Sequence, residues 1–176
     1  LSVTNINPEI IKRDTSILKD FYLNEGYFDV QITSYKVELI DDNYANIIFS
    51  IEAGKKYSFG ELKVIDQKNL FDKNVVNSLQ NNINKLTNKI YDKSQIDKFD
   101  RKANKLFTEQ KLDFAFTRIE KVKDDNLINI NVYLLEDVKR FVKNINIYGN
   151  EITEEKVIRN QLEFVEGDSF STRKLK

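Results

Sequence analysis

The sequence predicts an α+β protein made of repeated units, and three observations point to this fold class. Helical spacing and strand-like spacing of apolar residues alternate along the chain. A helix followed by a two-stranded hairpin occurs between residues 7 and 52 and recurs between residues 92 and 136. The 176 residues, of which 40% are hydrophobic, provide enough apolar surface for one ordinary domain or a pair of small ones.

The first repeat opens with a helix-start signal. Residues 7–9, Asn-Pro-Glu, supply an N-cap, a proline at the first helical position and an acid in the first turn. Gly26 stands where this helix should end. Two strand-like runs, residues 27–39 and 44–52, flank an Asp-Asp-Asn turn at residues 41–43 and predict an antiparallel hairpin.

The second repeat has the same order of elements and adds two more. Asp92 with Gln95 predicts a capping box at the start of a helix, and runs 113–122 and 127–136 predict its hairpin. A strand at residues 60–65 and a further helix precede these elements. The complete unit is therefore β-α-α-β-β, which predicts a three-stranded mixed sheet with two helices on one face.

The last stretch begins a third copy. Residues 141–149 match residues 57–65 as a strand, and a helix follows, with Thr153 as its N-cap. The chain thus divides into the end of one unit (1–54), a complete unit (55–137) and the start of another (138–176). A single α+β domain with accidental internal similarity is the alternative.

Composition argues against catalysis and against a dominant electrostatic partner. The 28 basic and 28 acidic residues cancel, so no net field attracts nucleic acid. The chain has no Cys and no His, which removes thiolate nucleophiles, His general bases and the usual zinc and copper ligands. No P-loop, dinucleotide glycine pattern or G-x-S-x-G turn occurs. We expect no catalytic residue, metal, cofactor or small-molecule substrate.

Three other features receive structural interpretations. The Asp pairs at residues 41–42 and 124–125 raise the possibility of a calcium site or a carboxylate-dependent hydrolase, but Asp also suits tight turns. Basic pairs such as Lys102 with Lys105 are interpreted as solvated faces. Aromatic residues at helical or strand spacing are assigned to the core: Phe21, Tyr22, Tyr27, Phe99 and Phe107.

The ends and the apolar runs bear on localisation. The chain starts with Leu1 and contains no Met, so we expect a mature product or an excised piece. Every apolar run is far shorter than the roughly 20 residues that a membrane-spanning helix needs.

Three motifs make the chain resemble a known family. They are Tyr-Leu-Asn-Glu-Gly-Tyr at 22–27, Ile-Glu-Ala-Gly at 51–54, and Gly149-Asn150 followed by Thr153. With these motifs and this order of elements, nearly the whole chain resembles POTRA domains, the polypeptide-transport-associated modules that precede the outer-membrane β-barrel in the BamA family. The spacing is similar to the third to fifth of five modules. The central unit departs from the pattern, because Lys111 or Asp113 replaces its helix-ending glycine.

The resemblance implies a periplasmic scaffold at the outer membrane, linked to a β-barrel that is absent from this fragment. In the family, the first strand of a unit lies beside the last, which leaves the second strand at an edge that can pair with unfolded outer-membrane proteins. The candidate edges are residues 28–37 and 114–122. The residues assigned to them are Phe28, Val30, Gln31, Ile32, Thr33, Phe116 and Arg118. Val30 and Ile32 should face the helices, and Gln31 and Thr33 should face outward.

The resemblance also implies a partner site and structural turns. In the family, the fifth module contacts BamD, a helical lipoprotein, through an Arg and a Glu that match Arg159 and Glu166. A solvated helix residue and a turn residue are the plainer interpretation of this pair. Turn roles are assigned to Gly26, Gly54, Gly149 and Asn150. The alternatives are a POTRA segment of a TamA-like transporter, one of a two-partner secretion pore, or a spacer that binds nothing.

Overall fold

The computed structural model describes residues 7–41, 44–149, 151–152 and 154–170. Its helices and strands are, in chain order, α1 (Pro8–Asn24), β1 (Gln31–Leu39), β2 (Ala45–Glu52), β3 (Ser58–Ile65), α2 (Lys73–Ile83), a 3-10 turn (Asn84–Leu86), α3 (Lys93–Glu109), β4 (Ala115–Asp124), β5 (Leu127–Glu136), β6 (Arg140–Phe141), α4 (Glu155–Arg159) and β7 (Ser169–Phe170). We refer to residues 7–54 as the amino-terminal segment, 55–137 as the central segment and 138–170 as the carboxy-terminal segment. The predictions for Asn150, for Thr153 and for residues 42–43 lie outside the described residues.

The amino-terminal segment packs α1 against the β1–β2 hairpin. The helix begins as predicted, because the Asn7 side chain accepts a hydrogen bond from the backbone N–H of Glu9 at 3.0 Å. β1 and β2 pair antiparallel, with a register shift between Ile32 and Ser34. Thr33 lies in this bulge, and its hydroxyl donates to the carbonyl oxygen of Ser50 at 3.3 Å.

The central segment is the complete unit that the sequence predicts. Its sheet has the order β3-β5-β4, with β3 parallel and β4 antiparallel to β5. Alternate residues of β5 face α2 and α3 and are the centre of the core, as their burial pattern shows. The fully buried side chains with the largest volumes are Tyr91, Phe59, Phe107, Ile83, Ile128, Ile130 and Val132. The predicted β-α-α-β-β order and the mixed sheet are confirmed.

Asp residues cap both helices of the central segment. Asp72 accepts from the N–H of Asn74 at 2.7 Å, and Asp92 accepts from the N–H of Ser94 at 2.8 Å. The predicted capping box at Asp92 is not formed in its usual way. The Gln95 side chain donates to the Asp92 carboxylate at 3.2 Å, so the two residues are joined through their side chains, whereas in a usual capping box the second side chain bonds to the backbone of the first residue.

The ends of α1 and α3 have the same geometry with different residues. Gly26 has φ +94°, and the N–H of Tyr27 reaches back to the carbonyl of Tyr22 at 3.0 Å. Lys111 has φ +57°, and the N–H of Leu112 reaches back to the carbonyl of Phe107 at 2.8 Å. Both are Schellman ends. Lys111, and not Asp113, therefore takes the place of the helix-ending glycine.

The carboxy-terminal segment has shorter elements than predicted. The strand expected at residues 141–149 is regular only in β6, which pairs with β7. The expected helix is the five-residue α4, with Glu154 at its N-cap position. A first strand of this fold pairs with the last strand of its own unit, and the described part of the third copy has no equivalent of β5. Val142 still exchanges backbone hydrogen bonds with Gly167 and Asp168, but within the described ranges residues 143–149 pair with no strand.

One predicted core residue is wrong. Phe99 and Phe107 are 4% and 2% exposed, whereas Phe21 is 57% exposed. The Phe21 ring makes an edge contact with Tyr22 on the surface of α1. The described part of the amino-terminal segment is only a helix and a hairpin, so α1 has too little sheet to cover this side chain.

Candidate interaction sites

The first candidate edge is β4. It pairs with β5 through ten residue pairs, from Ala115↔Glu136 to Asp124↔Leu127, and within the described ranges no strand pairs with its other side. Phe116 and Arg118 lie opposite Leu135 and Tyr133, on the sheet face turned away from the helices. The edge therefore presents backbone groups along its length and places both predicted residues on the open face.

Side-chain contacts order the open face of β4. The Arg118 guanidinium lies over the Tyr133 ring, 5.0 Å from its centroid. The Tyr133 hydroxyl donates to Glu120 at 3.0 Å, and this hydrogen bond, with desolvation, raises the pKa of Tyr133. These three side chains hold each other in place across the β4–β5 ladder.

The opposite face of β4 carries a lysine on the helix side of the sheet. Lys121 pairs with the fully buried Ile130 and so extends towards α3, although its side chain remains exposed to solvent. Partial burial lowers the pKa of Lys121, and the charge of Asp97 acts in the opposite sense. A charge on the inner face of an edge strand is a known protection against pairing with another chain. β4 thus combines an open backbone with a side chain that discourages strand addition.

The second candidate edge is β1, and its bounds need correction. The strand begins at Gln31, so Phe28 and Val30 are not edge residues. The Phe28 ring lies edge-on to the rings of Tyr57 and Tyr91, with centroids 6.0 and 5.1 Å away, and Val30 is 3% exposed. The turn after α1, closed by a hydrogen bond from Val30 N–H to the Tyr27 carbonyl, directs them into the molecule.

The remaining β1 residues lie beside a groove. Gln31 and Thr33 are exposed and Ile32 is half-buried, as the alternation predicts. An open groove of about 540 Å³ runs between α1 and β1, and Ile11, Ile32 and Tyr35 are among its lining residues. This edge therefore has a partly apolar groove next to its exposed backbone, with Lys12 and Thr15 among the polar lining residues.

Arg159 and Glu166, predicted as a partner site, meet in the structure. Their side chains are 3.5 Å apart, from Nη1 to Oε1. Arg159 Nη2 donates to the Ile145 carbonyl at 2.7 Å, and Glu166 Oε1 accepts from the Ile145 N–H at 3.0 Å. Glu155 holds the guanidinium at 2.8 Å, and this contact raises the pKa of Arg159. The pair therefore binds one backbone residue of the preceding stretch, which sequence reasoning did not foresee.

Sequence reasoning also missed a polar cluster between the amino-terminal and central segments. The Asp29 carboxylate accepts from the Tyr57 hydroxyl and from Lys123 Nζ, the latter at 2.8 Å. Lys123, and then Tyr57, lower the pKa of Asp29. These residues are far apart in the chain and share no motif, so local patterns gave no signal. We call Asp29, Tyr57 and Lys123 the junction cluster.

Backbone contacts accompany the junction cluster. The Tyr57 N–H donates to the Gly26 carbonyl at 2.9 Å, and Asn24 Oδ1 accepts from the N–H of Ser94 at 3.0 Å. Gly26 and Gly54 have φ +94° and +72°, as expected for turn positions. Gly149 has φ +76°, and it has open space around it.

Two other observations concern the kinds of site. Among the described residues, no group of three or more Asp and Glu side chains is placed to hold a metal ion. No helix in the described ranges is both long and apolar enough to cross a membrane.

Comparisons with known proteins cover most of the chain. The POTRA family model, described as a surface antigen variable number repeat, matches residues 4–54 and 141–176. The outer membrane protein assembly factor BamA of Buchnera aphidicola is 28% identical over 98% of this chain and 28% of its own length. BamA of Nitratidesulfovibrio vulgaris is 21% identical over 97% of this chain and 22% of its own length. The chain thus spans under a third of these relatives.

Solved structures show the same fold. The crystal structure of Haemophilus influenzae BamA POTRA3-5 matches 94% of this chain and 65% of that chain with a TM-score of 0.66 at 20% identity. BamA from Haemophilus ducreyi lacking POTRA domains 1–3 matches 80% of this chain and 26% of that chain, with a TM-score of 0.54 at 11% identity. The family model matches POTRA repeats at both ends of the chain, and the relatives that the chain matches along nearly its whole length are BamA proteins, so the comparisons together support POTRA domains of the BamA type.

Proposed function

We propose that this chain is a non-catalytic periplasmic scaffold segment of an outer-membrane β-barrel assembly protein. The observation that carries the proposal is the match to BamA proteins over 98% and 97% of the chain. We assign residues 1–54, 55–137 and 138–176 to the end of a third module, a whole fourth module and the start of a fifth. The match to a POTRA3-5 structure over 94% of the chain supports this order.

The proposed clients are unfolded outer-membrane proteins, which bind by adding a strand to an exposed edge. Such binding uses backbone N–H and C=O groups, so it tolerates many client sequences. Two features favour β1 over β4 as the docking edge. β1 adjoins a partly apolar groove that can take client side chains, whereas β4 carries Lys121 on the helix side of its sheet.

Site-specific crosslinking in the full-length protein tests this proposal. A photocrosslinker at Gln31 or Thr33 samples β1, and one at Arg118 samples β4. A photocrosslinker at Lys105 is the control, since this exposed residue lies on helix α3 and not on a strand. We expect nascent barrel proteins to be captured most strongly from β1, less from β4 and not from α3. Equal capture from α3, or none from any edge, favours a spacer that binds nothing.

We also propose that Arg159 and Glu166 dock a BamD-like lipoprotein. The pair is partly exposed, with 37% of the Arg159 side chain and 49% of the Glu166 side chain accessible. A guanidinium beside a carboxylate can form charge-assisted hydrogen bonds that fix the register of an interface. Because both side chains also bind the Ile145 backbone, the test must separate docking from local folding.

Two variants of Glu166 make that separation. Glu166→Lys reverses the charge and removes the acceptor for the Ile145 N–H, whereas Glu166→Gln removes the charge and retains an acceptor oxygen. We expect both variants of the full-length protein to co-purify with less lipoprotein. If Glu166→Gln behaves as wild type while Glu166→Lys fails, the residue acts on local structure and the docking proposal is wrong.

The number of modules separates this assignment from a TamA-like transporter or a two-partner secretion pore. A BamA-type protein carries five modules, so two complete modules and the start of a third should precede Leu1. Reading the gene upstream of the chain provides the count. Fewer than two further modules contradicts the assignment.

A further inference from the structure

The helical layer of the central segment contains a concavity with a strongly uneven charge. It lies between the end of α2 and the first turns of α3 and has a volume of about 190 Å³. Its rim has four lysines, Lys85, Lys89, Lys98 and Lys102, and no acidic residue lines it. The chain as a whole has 28 basic and 28 acidic residues, so this site concentrates one sign of charge in a balanced protein.

The four lysines of this concavity make no polar side-chain contact with other described residues. All four are exposed, and none forms an ion pair or a side-chain hydrogen bond with another described residue. Neighbouring Lys105, in contrast, pairs with Glu109 at 3.8 Å, and Lys93 pairs with Asp97 at 3.0 Å. Lys98 and Lys102 are four residues apart on α3, and like charges at this spacing slightly destabilise a helix.

The floor of the concavity is apolar. Phe99, which is 4% exposed, and the half-buried Leu86 form it, and the amides of Asn82 and Gln95 complete the lining. A ligand that fits this site carries negative charge around an apolar group. Inorganic anions lack the apolar group, and a flat bilayer surface does not enter a recess between two helices.

We propose that this concavity, the lysine recess, binds an acidic peptide segment of a partner protein that inserts one apolar side chain between its carboxylates. The carboxylates bond to the four lysines, the apolar side chain contacts Phe99 and Leu86, and the amides accept or donate hydrogen bonds to the peptide backbone. The recess lies on the helical layer and is separate from both strand edges and from Arg159 and Glu166. It therefore provides a second kind of partner surface, which selects a ligand both by its negative charge and by the fit of its apolar side chain.

Fluorescence anisotropy with the 176-residue chain tests the lysine recess. The probe is a labelled Glu-Asp-Glu-Leu-Glu-Asp-Glu peptide at low salt, and the comparison peptides replace the acids with amides or the Leu with Ser. The recess variant is Lys85→Gln with Lys98→Gln and Lys102→Gln. The matched control is Lys19→Gln with Lys68→Gln and Lys143→Gln, which makes the same charge change at exposed lysines outside the recess.

We expect the recess variant to raise the Kd of the acidic Leu peptide about tenfold and the control to change it less than about twofold. Both comparison peptides should bind more weakly than the acidic Leu peptide. An equal loss in the control variant, or equal binding of the Ser peptide, overturns the proposal because it indicates unspecific charge attraction. Vesicles of anionic phospholipid serve as the last arm. Recess-dependent binding to them without binding of the peptide overturns the assignment to a protein partner.

Discussion

Tyr57 and Phe141 occupy the same position in two successive repeats, yet their surroundings differ. Tyr57 directly precedes β3, the first strand of the central segment, and is 2% exposed, whereas Phe141 is 63% exposed. The residues that bury Tyr57 come from the preceding segment and from the rest of its own unit, namely Phe28, Tyr91 and Lys123. In the described part of the third copy, β6, α4 and β7 supply no equivalent of the last two. Within this chain, the junction with the buried aromatic residue is therefore the one whose second unit includes its later elements.

The largest expected effect tests this contrast directly. Tyr57→Ala removes a buried ring that contacts both segments, so we expect the free energy of unfolding to fall by about 3–5 kcal/mol. Phe141→Ala removes an exposed ring, and the loss should be under about 0.5 kcal/mol. Urea denaturation followed by circular dichroism measures both variants. If both variants lose a similar free energy of unfolding, Phe141 contributes as much to its junction as Tyr57 does, and the contrast is wrong.

Gly26→Ala probes the turn that leads into the first junction. The position has φ +94°, and an added Cβ would lie 2.7 Å from the Ile90 side chain and 3.3 Å from the Tyr57 carbonyl oxygen. Backbone strain and crowding together should cost about 2–3 kcal/mol. Lys111→Ala at the matching turn keeps a non-glycine residue there and is the control, with little expected change. The same urea titration compares the two, and an equal effect at both turns contradicts the role of the junction.

Tyr91→Phe tests a polar atom within the same junction. The Tyr91 side chain is fully buried, its ring contacts Phe28 and Phe59, and its hydroxyl has no hydrogen-bond partner among the described residues. Burial raises the pKa of this hydroxyl, so it stays neutral. Removing it should raise the free energy of unfolding by about 1 kcal/mol, since an unpaired buried polar group is destabilising. A loss of stability would reveal a partner for the hydroxyl.

The junction cluster predicts a pH dependence. Lys123 and Tyr57 lower the pKa of Asp29 in the folded state, so the folded pKa lies below the unfolded value of about 3.9. The contribution of Asp29 is then complete above that value and is lost as the pH falls through the folded pKa. Thermal unfolding of Asp29→Asn should show a Tm deficit at pH 7 that shrinks below about pH 4. The side chains of Asp29 and Lys123 are partly exposed, at 38% and 47%, so solvent weakens their interaction. The stability lost in Asp29→Asn should therefore be smaller than the stability gained in Tyr91→Phe.

Local patterns predicted many features within the segments and little of what joins the segments. The Asn7 cap, the turn at Gly26 and the alternation in β5 each depend on residues close in sequence, and all three are present. The resemblance to the family correctly implied that the first strand of the unit lies beside the last.

The errors share a cause in long-range contacts. Phe28 was assigned to a strand edge because its run alternates, but contacts with Tyr57 and Tyr91 bury it instead. Asp29 and Lys123 are 94 positions apart, and no periodicity relates them. Arg159 and Glu166 have matching spacing in the sequence, yet their shared contact with Ile145 depends on the fold of the whole segment.

The smallest expected change in stability is that of Lys111→Gly, which compares the helix ends of the two repeats. Lys111 adopts φ +57° to close the same Schellman end that Gly26 closes, and a side chain in this region costs roughly 1–2 kcal/mol. Glycine removes that cost but adds chain entropy to the unfolded state, so the net gain should be about 0.5 kcal/mol. Thermal unfolding measures the gain, and Lys105→Gly, one turn before the end of α3, is the matched control, which should lose about 1 kcal/mol. A lower free energy of unfolding for Lys111→Gly would mean that the Lys111 side chain makes a stabilising contact that outweighs the backbone strain. Lysine would then stabilise this turn better than glycine does.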